Sequence, residues 1–192
     1  MPEAFRAGSL AVVTGAASGI GEALARKARE QGMQLLLSDI DEVKLEKVAR
    51  ALEADFLVCD VSDPSAVEAL AARAEDAPSD IGAVFANAGV MKTKPLVKTT
   101  PEDWTFMIGV NLIGVANMVR SFTPRLTAQQ EASRFVATAS VAGLVSAPLT
   151  GALVADSPAT SAVRFVEYFS ISRKMTFIGA LSNWVKVVAS TA

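Results

Sequence analysis

Residues 10–14, Leu-Ala-Val-Val-Thr, form a short apolar, β-branched run that stops in glycine-rich sequence, after which Ile20, Ala23, Leu24 and Ala28 recur at helical spacing. A strand running through a tight glycine turn straight into an amphipathic helix predicts a βα unit, and such a unit needs further strands beside it to bury its apolar faces. The following sequence supplies them. Gly32 closes the first helix and residues 33–37 read as a second buried strand. Val43, Leu45, Val48, Ala51 and Leu52 give the next helix face. Residues 56–59 predict a third strand. Ser62 or Asp63 before Pro64 is a helix cap with proline in the first turn, leading through Val67, Leu70 and Ala71. Residues 83–86 predict a fourth strand, a long helix runs from Pro101 or Glu102 to Leu126, and residues 135–139 predict a fifth strand. Strands that are apolar throughout, each separated by a helix, indicate a doubly wound α/β domain with a parallel sheet covered on both faces.

The 192 residues suit one domain, so a single unit spanning residues 1–192 is expected. No fixed-period repeat or Pro/Gly/Ser-rich linker divides it. The net charge of −2 provides no basic field for nucleic acid, so no nucleic-acid partner is expected. The chain has no histidine, which excludes Ser-His-Asp and Cys-His catalysis and histidine-bound zinc. Cys59 is alone and cannot form an intramolecular disulfide or a multi-cysteine metal site, so no metal is expected and the cytoplasm is the expected compartment. Residues 135–155 carry no charge, but Thr138, Ser140, Gly143, Ser146, Pro148, Thr150 and Gly151 interrupt them. That pattern favours a buried strand and a small-residue loop over a membrane span.

The glycine turn, Thr14-Gly15-Ala16-Ala17-Ser18-Gly19-Ile20-Gly21, lies where backbone N–H groups at a helix start favour a diphosphate and glycine lets the ligand approach closely. Asp39 follows 24 residues after Gly15, at the end of the second strand, where a carboxylate can accept bonds from both ribose hydroxyls and repel a 2′-phosphate. With no Lys or Arg in the turn, NAD is favoured over NADP. The plainer reading of Asp39 is a solvated turn residue beside Asp41.

From about Ser9 to Gly151 the chain resembles the classical short-chain dehydrogenase/reductase family. Thr14 to Gly21 fits its TGxxxGxG turn, with Gly15, Ser18, Gly19, Ile20 and Gly21 at the cofactor. Asp60-Val61 fits the adenine-contacting pair after the third strand, and Asn87-Ala88-Gly89 the NAG motif after the fourth. Asn111 falls at the family's helix asparagine and Ser140 at its catalytic serine. Each of Asn87, Asn111 and Ser140 also has a local reading, as a side chain bonded to nearby backbone. It is their joint order that favours a cofactor site.

The resemblance implies a Rossmann-type, three-layer α/β/α fold with sheet order 3-2-1-4-5, and NAD as cofactor. It also implies hydride transfer between nicotinamide and a secondary alcohol or ketone. Ser140 would orient the substrate and Asn111 would hold a proton-relay water. A dimer or tetramer through the helix near residues 102–126 is implied too. That helix is apolar on most sides, at Trp104, Met107, Ile108, Leu112, Ile113, Val115, Met118, Val119 and Phe122, so it needs a second cover: a partner subunit, or burial within its own domain.

In two places the chain departs from the family. Family chemistry runs through a tyrosine and a lysine four residues later, on one helix face, where the ammonium lowers the phenol's pKa. About thirteen residues after Ser140 this chain reads Leu153-Val154-Ala155-Asp156-Ser157. Tyr168 is the single tyrosine, with Ser172 four residues on and Lys174 six residues on. Six residues are about 600° on a regular helix, which turns Lys174 away from Tyr168. Tyr168 replaces the phenol only if the preceding loop is longer and the helix irregular; otherwise it is structural. A catalytically impaired, NAD-binding or dimerising protein is the alternative function.

The second departure is at the end of the chain. Phe177, Ile178, Leu181, Trp184, Val185 and Val188 form a helical stripe. The expectation is therefore a divergent helical segment over residues 153–192, without the family's last strands, leaving the fifth strand as a sheet edge unless something covers it. A truncated, spliced or frame-altered product fits such an end.

Overall fold

The structure, a computed structural model, describes residues 3–140 and 175–180. Its elements follow the predicted alternation: β1 (Leu10–Thr14), α1 (Gly19–Glu30), β2 (Gln34–Asp39), α2 (Glu42–Ala51), β3 (Asp55–Val58), α3 (Pro64–Glu75) and β4 (Ile81–Ala86). They continue with α4 (Pro101–Ile108), a π-helical turn (Gly109–Ile113), α5 (Gly114–Ala128), β5 (Ser133–Thr138) and β6 (Met175–Ala180). All strand pairs are parallel, in the order β3-β2-β1-β4-β5-β6. The order 3-2-1-4-5 thus stands as expected.

The end of the sheet differs from expectation. Residues 175–180, which include Phe177 and Ile178 of the expected helical stripe, form a sixth strand, paired to β5 from Ser133↔Met175 to Thr138↔Ala180. A short apolar run satisfies helix and strand periods alike, and β5 has N–H and C=O groups along its free side that a parallel neighbour satisfies. The expectation that the sheet lacks a strand after β5 is therefore corrected. Leu181, Trp184, Val185 and Val188 lie outside the described residues.

Alternation along the strands sends side chains to two cores. On one face Val12, Leu36, Val84 and Phe135 pack with Val67, Leu70, Ala71 and Ala74 of α3 and Met118, Phe122 and Leu126 of α5. On the other, Ala11, Val13, Leu35, Leu37, Phe85 and Val136 pack with Ala25 and Ala28 of α1 and Leu45, Val48 and Ala49 of α2. The helix starts are fixed locally. Asp63, rather than Ser62, caps α3 through the Ser65 amide, with Pro64 in the first turn. Thr100 and Asp103 form a reciprocal capping box at α4, again with proline at the start. Helix Pro101–Ala128 is long and apolar enough to cross a bilayer by composition. Here it lays Met107, Met118, Phe122 and Leu126, each almost fully covered, against the rest of the domain.

Candidate functional site

The carboxyl ends of β1, β2, β3 and β4 converge on the glycine turn, the edge at which parallel sheets of this kind build their sites. Thr14, the last residue of β1, holds the centre. Its Oγ1 accepts hydrogen bonds from the amides of Asn87 (3.0 Å) and Ala88 (3.1 Å) and donates to the Phe85 carbonyl (3.2 Å). Gly15 follows and Gly21 packs against it: a Cβ added at Gly21 would stand 1.9 Å from the Gly15 carbonyl oxygen, so α1 approaches the turn as closely as only glycine allows. Gly19, with φ +57°, takes a left-handed conformation, and a Cβ built there would meet nothing within 4 Å. Ser18 precedes α1 in extended conformation without a side-chain capping bond. Ser18, Gly19 and Ile20 are all exposed, presenting an open helix start.

Asp39 closes one side of this opening. Its Oδ2 accepts from the Ala17 amide and its Oδ1 from the Asp41 amide, both at 3.0 Å, so the carboxylate sits half-buried against the glycine turn. Neighbouring Asp41 caps α2 and pairs with Lys44, whose ammonium, bonded to it, holds that carboxyl below its ordinary value.

The loop after β3 is held from two directions. Asp60 Oδ1 accepts from the amide (2.9 Å) and hydroxyl (2.7 Å) of Ser62. From the helix side, Asn117 Nδ2 donates to the carbonyls of Val61 (3.0 Å) and Ser62 (3.4 Å). Cys59 beside them is buried, and burial pushes its thiol up to about 11.

The turn 87–89 is tied across the sheet. Asn87 Nδ2 donates to the Thr14 carbonyl (3.2 Å), and its Oδ1 accepts from the Thr138 hydroxyl at the end of β5 (2.9 Å). Asn111, within the π turn, is doubly bonded to one residue: its Oδ1 accepts from the Val90 amide (2.8 Å) and its Nδ2 donates to the Val90 carbonyl (2.9 Å). Its Oδ1 also lies 3.5 Å from a Cβ built on exposed Gly89. Ser140 is exposed two residues beyond the end of β5, the strand whose Thr138 bonds Asn87. The expected residues from Gly15 to Asn111 therefore lie along one edge with Ser140 beyond the next strand end. Tyr168, together with Leu153, Ser157 and Lys174, lies outside the described residues.

Thr14 and Thr138 hold Asn87, and Gly114 and Asn117 support the β3 loop, through contacts that no local spacing in the sequence marks. The available signal for Asn117 was an amide on an otherwise largely apolar helix, since a buried amide requires partners. A cavity of about 690 Å³ lies at the opposite end of the sheet, between Arg6, Ser79, Arg125 and Gln129. Its arginines are engaged, Arg125 with Glu68 and Glu75, and no expected site residue reaches it. Among the described residues no group of His, Cys, Asp and Glu could hold a metal.

The family model for short chain dehydrogenase matches residues 9–155. An uncharacterized oxidoreductase of Listeria innocua is 36% identical over 142 residues, covering 71% of this chain and 57% of the relative. A 2,3-dihydro-2,3-dihydroxybenzoate dehydrogenase of Bacillus subtilis is 32% identical over 165 residues, covering 83% and 62%. A short chain dehydrogenase/reductase from Burkholderia phymatum in complex with NAD superposes with a TM-score of 0.86 at 36% identity, over 94% of this chain and 66% of that one. An alcohol dehydrogenase from Thermococcus sibiricus complexed with 5-hydroxy-NADP gives 0.80 at 30%, over 89% and 74%. The chain thus spans under two thirds of the length of these curated relatives.

Proposed function

This chain belongs to the short-chain dehydrogenase/reductase family of oxidoreductases, and from that membership we propose that it is an NAD-dependent enzyme moving a hydride between nicotinamide and a secondary alcohol or ketone. The observation that carries the reading is the Asp39 carboxylate held against the open glycine turn by the Ala17 amide. A carboxylate there suits a ribose with two free hydroxyls and repels a 2′-phosphate.

The residues present fit a dinucleotide, because the exposed start of α1 leaves open space at Gly19 beside that carboxylate. Gly15, Ser18, Gly19, Ile20 and Gly21 would hold the diphosphate, Asp39 the adenosine ribose, Asp60 and Val61 the adenine, and Asn87, Ala88 and Gly89 the nicotinamide half. When bound, the nicotinamide supplies or accepts the hydride. The Ser140 hydroxyl orients the substrate oxygen. The proton that leaves or joins this oxygen passes to a side chain for which Tyr168 is the candidate. Asn111 fixes the segment after Gly89 through its paired bonds to Val90, and a proton-relay water at Asn111 belongs to the same proposal.

The protein works as a single dinucleotide-binding domain in the cytoplasm, a compartment that suits the reduced, buried Cys59. It assembles as a homo-oligomer through the outer face of helix Pro101–Ala128, where Phe106, Leu112 and Ile113 are 43–52% exposed. Calorimetric titration tests the cofactor, with NADH expected to bind at least tenfold tighter than NADPH, about 1.4 kcal/mol. Preference for NADPH, or binding of neither, overturns the reading. NADH formation from NAD across a panel of secondary alcohols then tests the reaction.

A further inference from the structure

We propose that Asn117 is a positioning residue for the adenine half of the dinucleotide, an inference that rests on the nucleotide-binding reading above. The loop between β3 and α3 that carries Asp60 and Val61 belongs to no strand or helix: its own bonds tie the Ser62 and Asp63 amides to Asp60, while the Val61 and Ser62 carbonyls take their partner from outside the loop. Asn117 does so from α5: it is 6% exposed, and its Nδ2 donates to the carbonyls of Val61 and Ser62 at 3.0 and 3.4 Å. The same helix comes close at two further points. A Cβ on Gly114 would stand 2.6 Å from Val61 Cγ2, and one on Gly109 3.5 Å from Ser62 Cβ. Three positions on one helix thus bear on one short loop.

A buried amide is costly unless it is bonded, and Asn117 is buried with its Nδ2 bonded to this loop. What Asn117 gains is a fixed Val61 carbonyl. With that carbonyl bonded to Asn117 and Asp60 Oδ1 held by Ser62, the Asp60-Val61 pair proposed to meet the adenine is fixed in place. Six residues earlier, Asn111 fixes Val90 beside the turn 87–89. One rod therefore sets the adenine wall and the nicotinamide wall relative to each other, and Asn117 is its adenine-side contact.

The test uses the full chain with AMP, NADH and reduced nicotinamide mononucleotide as probes, titrated by calorimetry. Asn117→Leu should weaken AMP and NADH about tenfold, the loss of one well-placed hydrogen-bonding group, while reduced nicotinamide mononucleotide keeps its affinity within about twofold. A merely structural role would lower the urea midpoint and leave the ratio of the AMP and mononucleotide affinities unchanged, and that result overturns the proposal. Should Asn117→Leu fail to fold, Gly114→Ala, which pushes on Val61, is read by the same ratio with the same two outcomes. Wild-type protein that binds neither AMP nor NADH overturns the nucleotide reading itself, and this inference with it.

Discussion

The amide of Ala17 donates to the carboxylate of Asp39 at 3.0 Å, joining the glycine turn after β1 to the end of β2 across 22 residues of sequence. One carboxylate therefore shapes the turn and presents negative charge where an adenosine ribose would lie. Asp39→Ser is expected to weaken NADH about tenfold, as a charged hydrogen-bonding group is lost, and to shrink the preference over NADPH by a similar factor. Paired titrations of the two nucleotides check this, and unchanged discrimination would place selectivity elsewhere.

Gly21 and Gly19 should respond very differently to alanine. At Gly21 the new Cβ would lie 1.9 Å from the Gly15 carbonyl oxygen, so the turn must move, and both nucleotide affinity and stability should fall sharply. At Gly19 there is room, and only the left-handed backbone resists, at about 1–2 kcal/mol. Urea unfolding of both variants separates the two effects.

The Asp103 carboxyl is lowered from 3.8 to about 2, first by its hydrogen bond from the Lys94 ammonium and then by the Thr100 amide. A folded value below the unfolded one means that the contribution to stability is present above about pH 4 and is lost as pH falls towards about 2. Asp103→Asn should therefore be less stable than wild type at pH 6, with the gap closing between pH 4 and 2. Urea midpoints at several pH values measure it, and a gap independent of pH would refute it.

Much of this was readable in the sequence. The βα alternation was legible because each strand is apolar throughout and each helix carries a separate apolar stripe. Ser62 or Asp63 before Pro64 marked a helix start because local chemistry suffices there, and the choice of Asp63 was settled by the structure. The site residues from Gly15 to Asn111 were legible as types at spacings, whereas their contacts were not: nothing local tells that Thr14 serves Asn87 from 73 residues away, or that Asn117 reaches Val61 across 56. The strand at 175–180 was misread because Phe177 and Ile178 fit a helical stripe equally well, and what selects the strand is pairing with β5, a non-local interaction.

Phe122, fully buried between α3 and the sheet, gives a control away from the site. Phe122→Ala should cost about 3–5 kcal/mol of unfolding free energy. The ratio of NADH to NADPH affinities should stay unchanged in the fraction that folds. Denaturation curves read with nucleotide titrations test both halves of the expectation.

Cys59, shielded and with its thiol pushed up to about 11, should react with a disulfide reagent only upon unfolding. Rapid labelling of native protein would show that the β3 end opens readily.

The π-helical turn at Gly109–Ile113 sets the phase of everything that follows it. Its i→i+5 turn holds one residue more than an α turn does, so Asn111 and Asn117, six residues apart, do not take the roughly 240° offset that a regular α-helix would give them. The wide turn thus acts as a spacer that leaves Asn111 aimed at Val90 and Asn117 at Val61, two loops served from one rod.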